Sequence, residues 1–291
     1  MLKTLISLIT FFSFFSQPGL TLLASNANQV SQENRCPQSA KTSTVSSDGE
    51  LSDNELLQRV TVSIFGEQNW GSGTIIAKKD NTYLVLTNDH VTKGAKTLQI
   101  RTYDGQNRAA RIVPNSLSNN KDLALVEFSD RRDYPCAPMA EFTLNQDRIG
   151  LEVVATGYVG ETGQYRVTTG TLQRVSERPL AEGYSIGYSG EIVQGMSGGG
   201  IFIDGELVGI NGRSASPILS NYTYEDGTKP TQTEIQQLKT LNWGIPIQTL
   251  LTYIQPQILT AYNLPLPKVN PDIETPVNTG YIAQLEKKAK G

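Results

Sequence analysis

The chain has 291 residues, with 25 basic and 28 acidic side chains and a net charge of −3, so it carries no electrostatic footprint for nucleic acid or another polyanion. One histidine and two widely separated cysteines cannot assemble a zinc site, and no phosphate loop or dinucleotide fingerprint is present, so neither a metal nor a cofactor is expected. With 26 glycines, 14 prolines and many short Val/Ile/Thr/Tyr runs, the chain reads as mostly β, without an internal repeat.

The N-terminus, Met1-Leu2-Lys3 followed by an apolar run from Leu5 to Phe15, has the positive start and apolar length of a secretory signal, residues 1–27. Small residues permit cleavage after Ala24 or Ala27. Gln17-Pro18-Gly19 interrupts the run before the ~20 apolar residues of a spanning helix. No stable membrane insertion is expected after cleavage, the alternative being an uncleaved anchor. Residues 28–55 form a polar, flexible arm with little to bury. The arm holds Cys36, and the only other cysteine, Cys136, lies in the stretch Asp133 to Pro138. Two cysteines in an exported chain predict one disulfide, Cys36–Cys136, against two free or intermolecular thiols. Ser52 and Glu55 make a capping-box pattern for a short helix ending near Arg59.

Six strand candidates follow: Val60–Phe65, Gly73–Ala77, Tyr83–Thr87, Thr97–Tyr103, Ala110–Val113 and Leu123–Phe128. Ser129 to Asp147 is a polar bridge. Six more come after it: Leu151–Thr156, Tyr165–Val175, Ser185–Tyr188, Gly200–Ile203, Glu206–Ile210 and Trp243–Ile247. Leu250, Leu251, Ile254 and Ile258 have helical spacing despite Pro256, which places a helix over 248–258. Residues 262–291 read as a Pro-rich mobile tail.

The stretch with least to offer a core is Gln194-Gly195-Met196-Ser197-Gly198-Gly199-Gly200. Glycine buries no side chain and costs backbone entropy, so the run is either a turn or a place where a substrate approaches the main chain. In the second reading Ser197 is an acyl-transfer nucleophile, and the N–H groups of Gly195 and Ser197 face a developing oxyanion. A serine needs a base, and the base needs a carboxylate to hold it. His90 is the sole histidine, at the end of the apolar run from Tyr83, and Asp122 opens the run Leu123 to Phe128. Singly, each has a bland explanation in a surface histidine or a turn aspartate; in the order His, Asp, Ser they reinforce one another.

Thr87-Asn88-Asp89-His90-Val91, Asp122-Leu123-Ala124-Leu125 and Gly195-Met196-Ser197-Gly198-Gly199, preceded by Gly71-Ser72-Gly73-Thr74, resemble the motifs of trypsin-like serine peptidases. The resemblance runs from about Val60 to about Ile254, and its compact spacing is similar to that of exported bacterial, especially cyanobacterial, members without an appended PDZ domain. It implies an all-β fold of two six-stranded antiparallel barrels, which six and six strands fit. The protease domain would span 56–261, with a first barrel at about 60–128, a second at about 148–248 and a terminal helix at about 248–258 on the second barrel. His90 and Asp122 then come from the first barrel and Ser197 from the second. Asp89 and Met196 depart from the family pattern; a second carboxylate beside His90 would favour the charged imidazole.

The reading is an exported serine endopeptidase, secreted or periplasmic, acting on a peptide or protein substrate through an acyl-enzyme. A catalytically silent binding module of the same fold, or an esterase, stays open. No nucleic-acid partner is expected, and the oligomeric state is unknown. For substrate preference, Glu191, six residues before Ser197, stands where relatives that cut after Arg or Lys keep an acid. Gly212, Arg213 and Ser214 would wall that pocket, with Arg213 able to neutralise Glu191 internally.

Overall fold

The computed structural model describes Cys36 and residues 52–67, 69–117, 120–160, 162–215 and 222–266. The signal segment, most of the arm and the tail from 267 onward lie outside these residues. Ser52 caps helix α1 (Asp53–Val60) by accepting from the Glu55 N–H at 3.3 Å. Only that half of the capping box forms, because the Glu55 carboxylate turns to Arg59 one turn on.

The first six strands are β1 (Thr61–Gly66), β2 (Trp70–Lys79), β3 (Thr82–Thr87), β4 (Leu98–Arg101), β5 (Asn107–Ile112) and β6 (Ala124–Ser129), with a one-turn helix α2 (Asp89–Thr92) after β3. They close in the order β1-β2-β3-β6-β5-β4. The next six are β7 (Glu152–Tyr158), β8 (Tyr165–Leu180), β9 (Tyr184–Tyr188), β10 (Gly200–Ile203), β11 (Glu206–Arg213) and β12 (Asn242–Pro246). These close in the order β10-β11-β12-β9-β8-β7, with every pairing in both barrels antiparallel. All twelve strand candidates thus appear as strands, and the fold is the expected pair of six-stranded barrels.

Period-two alternation explains how the barrels pack on each other. On β3, Tyr83 and Val85 point into the first barrel with Ile64, Ile75, Ile100 and Phe128. Leu84 and Leu86 point the other way, into a core shared with Phe202, Leu207, Ile210, Trp243 and Ile245 of the second barrel. The second barrel's interior holds Val153, Ile186, Tyr188, Ile201 and Val208.

Three further α-helices lie in the described chain. Helix α3 (Gln232–Leu238), which the strand rhythm did not reveal, has a full capping box between Thr231 and Glu234. The single helix expected over 248–258 is instead two, α4 (Ile247–Tyr253) and α5 (Pro256–Ala261). Proline has no N–H to donate and restricts the residue before it, so the helix stops and a new one starts with Pro256 at its first position. Leu250, Leu251, Ile254 and Leu259 still join the shared core. The tail expected from 262 begins in packed structure: Tyr262 and Leu264 are buried, and the Tyr262 hydroxyl donates to Glu127 at 2.5 Å.

Candidate active site

His90 sits in the first turn of α2, at the end of β3. Asn88, the residue before that turn, is fully buried and donates from Nδ2 to the Asp122 carbonyl at 2.8 Å. This ties the histidine loop to the loop that enters β6. The Asp122 carboxylate then grips the histidine twice: Oδ1 accepts the His90 backbone N–H at 2.9 Å, and Oδ2 lies 2.7 Å from Nδ1. A third donor, the Tyr184 hydroxyl from β9, also reaches Oδ2. Burial alone would push the Asp122 carboxyl upward. The hydrogen bond and charge of His90, the Tyr184 hydroxyl and the His90 N–H outweigh it and hold the group below its ordinary range. The His90 side chain is 48% exposed while that of Asp122 is 7% exposed, so the ring borders solvent and its anchor does not.

Ser197 lies in the loop between β9 and β10. The Gly198 N–H donates to Asn211 O at 2.9 Å and the Asn211 N–H to Gly199 O at 2.8 Å, stitching the loop onto β11. From the first barrel, the Ser72 N–H donates to Ser197 O and the Ser72 hydroxyl to Gly195 O, both at 2.7 Å. The same hydroxyl accepts the Tyr158 N–H at 2.8 Å, so one serine side chain links the loop to β7. Met196, the departure beside the nucleophile position, is fully buried against Gly157 of β7. Gly195 and Gly198 have φ of +98° and +86°, left-handed values that suit glycine. Among the described residues, neither the Gly195 nor the Ser197 N–H donates to a protein acceptor. The Ser197 hydroxyl donates to the Gly212 carbonyl at 3.3 Å.

The other predicted residues fall as follows. Asp89 is exposed, and Asp122 is the carboxylate that bonds His90. Glu191 does not turn inward: its side chain is 72% exposed and pairs with Arg166. Arg213 pairs with Glu182, not with Glu191, and lies over the Tyr184 ring. Gly212 stands beside Ser197, whose hydroxyl its carbonyl accepts, and Ser214 is exposed. Cys36 and Cys136 form a disulfide with Cα atoms 5.5 Å apart. Among the described residues there is no cluster able to hold a metal ion, and no helix is long and apolar enough to cross a membrane. Two residues of the site escaped the sequence reading, Ser72 and Tyr184. Ser72 lies in the quoted Gly-Ser-Gly run, but only the fold shows that its side chain crosses between barrels.

The chain folds into two six-stranded barrels, with a histidine–aspartate pair on one and a glycine-lined serine on the other, and residues 71–210 match the family model described as a trypsin-like peptidase domain. More particularly, the chain is similar to the serine protease Do-like HtrA of Bacillus subtilis, at 33% identity over 162 residues, 52% of this chain and 34% of that protein. It is also similar to the periplasmic serine endoprotease DegP of Escherichia coli, at 32% identity over 154 residues, 50% of this chain and 30% of that one. The chain therefore spans about a third of the length of these curated relatives. Among solved structures, the serine endoprotease from Yersinia pestis is 24% identical with a TM-score of 0.48, covering 69% of this chain and 64% of that one.

Proposed function

We propose that this protein is an exported serine endopeptidase. The observation that carries the proposal is the double grip of a buried Asp122 on His90, which fixes the ring with Nδ1 engaged and leaves Nε2 as the available base. In the reaction the Ser197 hydroxyl leaves the Gly212 carbonyl for His90 and attacks a peptide carbonyl, while its proton passes to Nε2. Catalytic hydrogen bonds are commonly longer or misaligned without substrate, so the observed Ser197–Gly212 contact is compatible with this step. The developing oxyanion accepts from the Gly195 and Ser197 N–H groups. His90 then protonates the leaving amine, and water releases the acyl group by the same route in reverse.

Export is supported by the signal-like N-terminus and by the disulfide, a bond that persists in oxidising compartments. The substrate is a peptide or protein. With Glu191 turned to Arg166, the preference for Arg or Lys loses its carboxylate anchor, and Gly212 is left as the open element of the pocket wall. A fluorophosphonate probe tests the central assignment. Wild-type protein is expected to label at Ser197, with labelling lost in Ser197→Ala and in His90→Ala. Folded wild-type protein that takes no label overturns the proposal and leaves a silent binding module; labelled protein that cleaves esters but no member of a peptide library is an esterase.

A further inference from the structure

Asp122 is bound from both sides of the crevice. Two of the three donors to its carboxylate come from His90, and the third comes from the second barrel, where Tyr184 begins β9. We propose that Tyr184 is a positioning residue for the His90–Asp122 pair, its hydroxyl holding Oδ2 in place against Nδ1 and drawing off part of the charge that the imidazole would otherwise receive.

Three observations support the assignment. First, β11 makes room for the phenol: a Cβ built at Gly212 falls on the Tyr184 hydroxyl and the adjacent ring carbons. The absence of a side chain at 212 is therefore what allows the hydroxyl to reach across to Asp122. Second, the ring cannot swing away. Tyr184 is fully buried, and the Arg213 guanidinium lies 4.6 Å from the centre of its ring and is itself tied to Glu182. Third, the hydroxyl remains a donor. Burial, then the Asp122 charge and the hydrogen bond to it, push the phenol far above its ordinary range; Glu182 adds to this and Arg213 opposes it. A carboxylate that is shielded from water and shared by two donors has its charge divided between them, so each bond depends on the other.

The role rests on the peptidase reading, and labelling of wild-type protein by a fluorophosphonate decides that reading separately. The inference itself is tested in the full chain with Tyr184→Phe, which removes one oxygen and keeps the ring. Because the chain has a single histidine, the His90 Nδ1 proton gives one downfield proton resonance, free of overlap with other imidazoles. With the competing donor gone, the Asp122 carboxylate becomes a stronger acceptor, and that resonance is expected to move further downfield. The rate constant kcat/KM is expected to fall about tenfold, the scale of one hydrogen bond to a charged group. Should Tyr184→Phe not fold, Gly212→Ala displaces the phenol from Asp122 with Tyr184 intact, and the same downfield movement is expected. A folded variant whose resonance stays at the wild-type position overturns the inference even if the protein is labelled at Ser197. A downfield movement supports it whether or not peptides are cleaved.

Discussion

The two halves of the proposed site are held by different means. The first barrel fixes its half through side chains: Asn88 ties one loop to the next, and the Asp122 carboxylate holds the histidine. The second barrel fixes its half largely through main chain. The Gly198 N–H donates to Asn211 O and the Asn211 N–H to Gly199 O across the serine loop, and glycines at 195 and 198 take conformations that other residues adopt at a cost. The first half therefore depends on which chemical groups are present and the second on how little side chain is present. Ser72 crosses between them, a first-barrel side chain whose partners are the second barrel's backbone.

Three changes sharpen that contrast. Asp122→Asn keeps the shape and removes the charge, so kcat/KM in a peptide assay is expected to drop on the order of 10⁴-fold, because an amide no longer selects the reactive tautomer. The same variant reads out in acid. A carboxylate held below its ordinary range contributes stability above the unfolded value of ~3.9 and loses it as pH falls through the lower folded value. Urea unfolding of wild type is thus expected to weaken more steeply on acidification below about pH 4 than that of Asp122→Asn; parallel curves would mean that Asp122 is not the group responsible.

In the second half, Gly198→Ala adds only a methyl, yet its Cβ meets the Ser72 carbonyl and the Thr87 hydroxyl in a left-handed backbone. Overpacking plus backbone strain predict a loss of about 2–5 kcal/mol by denaturant unfolding, and a loss under about 0.5 kcal/mol would show that the loop is not held as tightly as its bonds imply. The smallest effect belongs to the link. Ser72→Ala leaves the buried Tyr158 N–H and Gly195 carbonyl without their partner, costing about 1–3 kcal/mol in the same measurement. Unchanged stability would mean that the two halves do not depend on this crossing.

The sequence displayed the strands and the His90–Asp122 pairing well, and for a physical reason. Alternation of β-branched and apolar residues is a local signal, and Ser197, His90 and Asp122 each sit in a short stretch whose neighbours are constrained with them. Tyr184 gave no such signal. It begins an apolar strand as an ordinary core tyrosine does, and its hydroxyl acquires a role only when Asp122 arrives from 62 positions away. The Thr231–Glu234 capping box is a local helix signal, whereas the break before Pro256 is a local rule that the apolar spacing of Leu250 to Ile258 masks. Glu191 shows the opposite failure: position in the chain pointed inward, but Arg166 on the neighbouring strand offered its carboxylate a partner at the surface.

The disulfide joins residues 100 positions apart, and all six strands of the first barrel, with His90 and Asp122, lie between them. That barrel thus lies within a closed covalent ring, with the rest of the chain leaving it at the two cysteines. Just past the closure, the Ala137 N–H donates to Ile75 O at 2.8 Å, and the Leu207 N–H to Pro138 O at 2.7 Å, so the segment leaving the ring is bonded to both barrels. Cutting one peptide bond anywhere in the ring opens it without releasing a piece. For a chain proposed to cut peptide bonds, a nick of this kind is nearly silent: the molecule gains only the mass of one water until a reductant separates it into two.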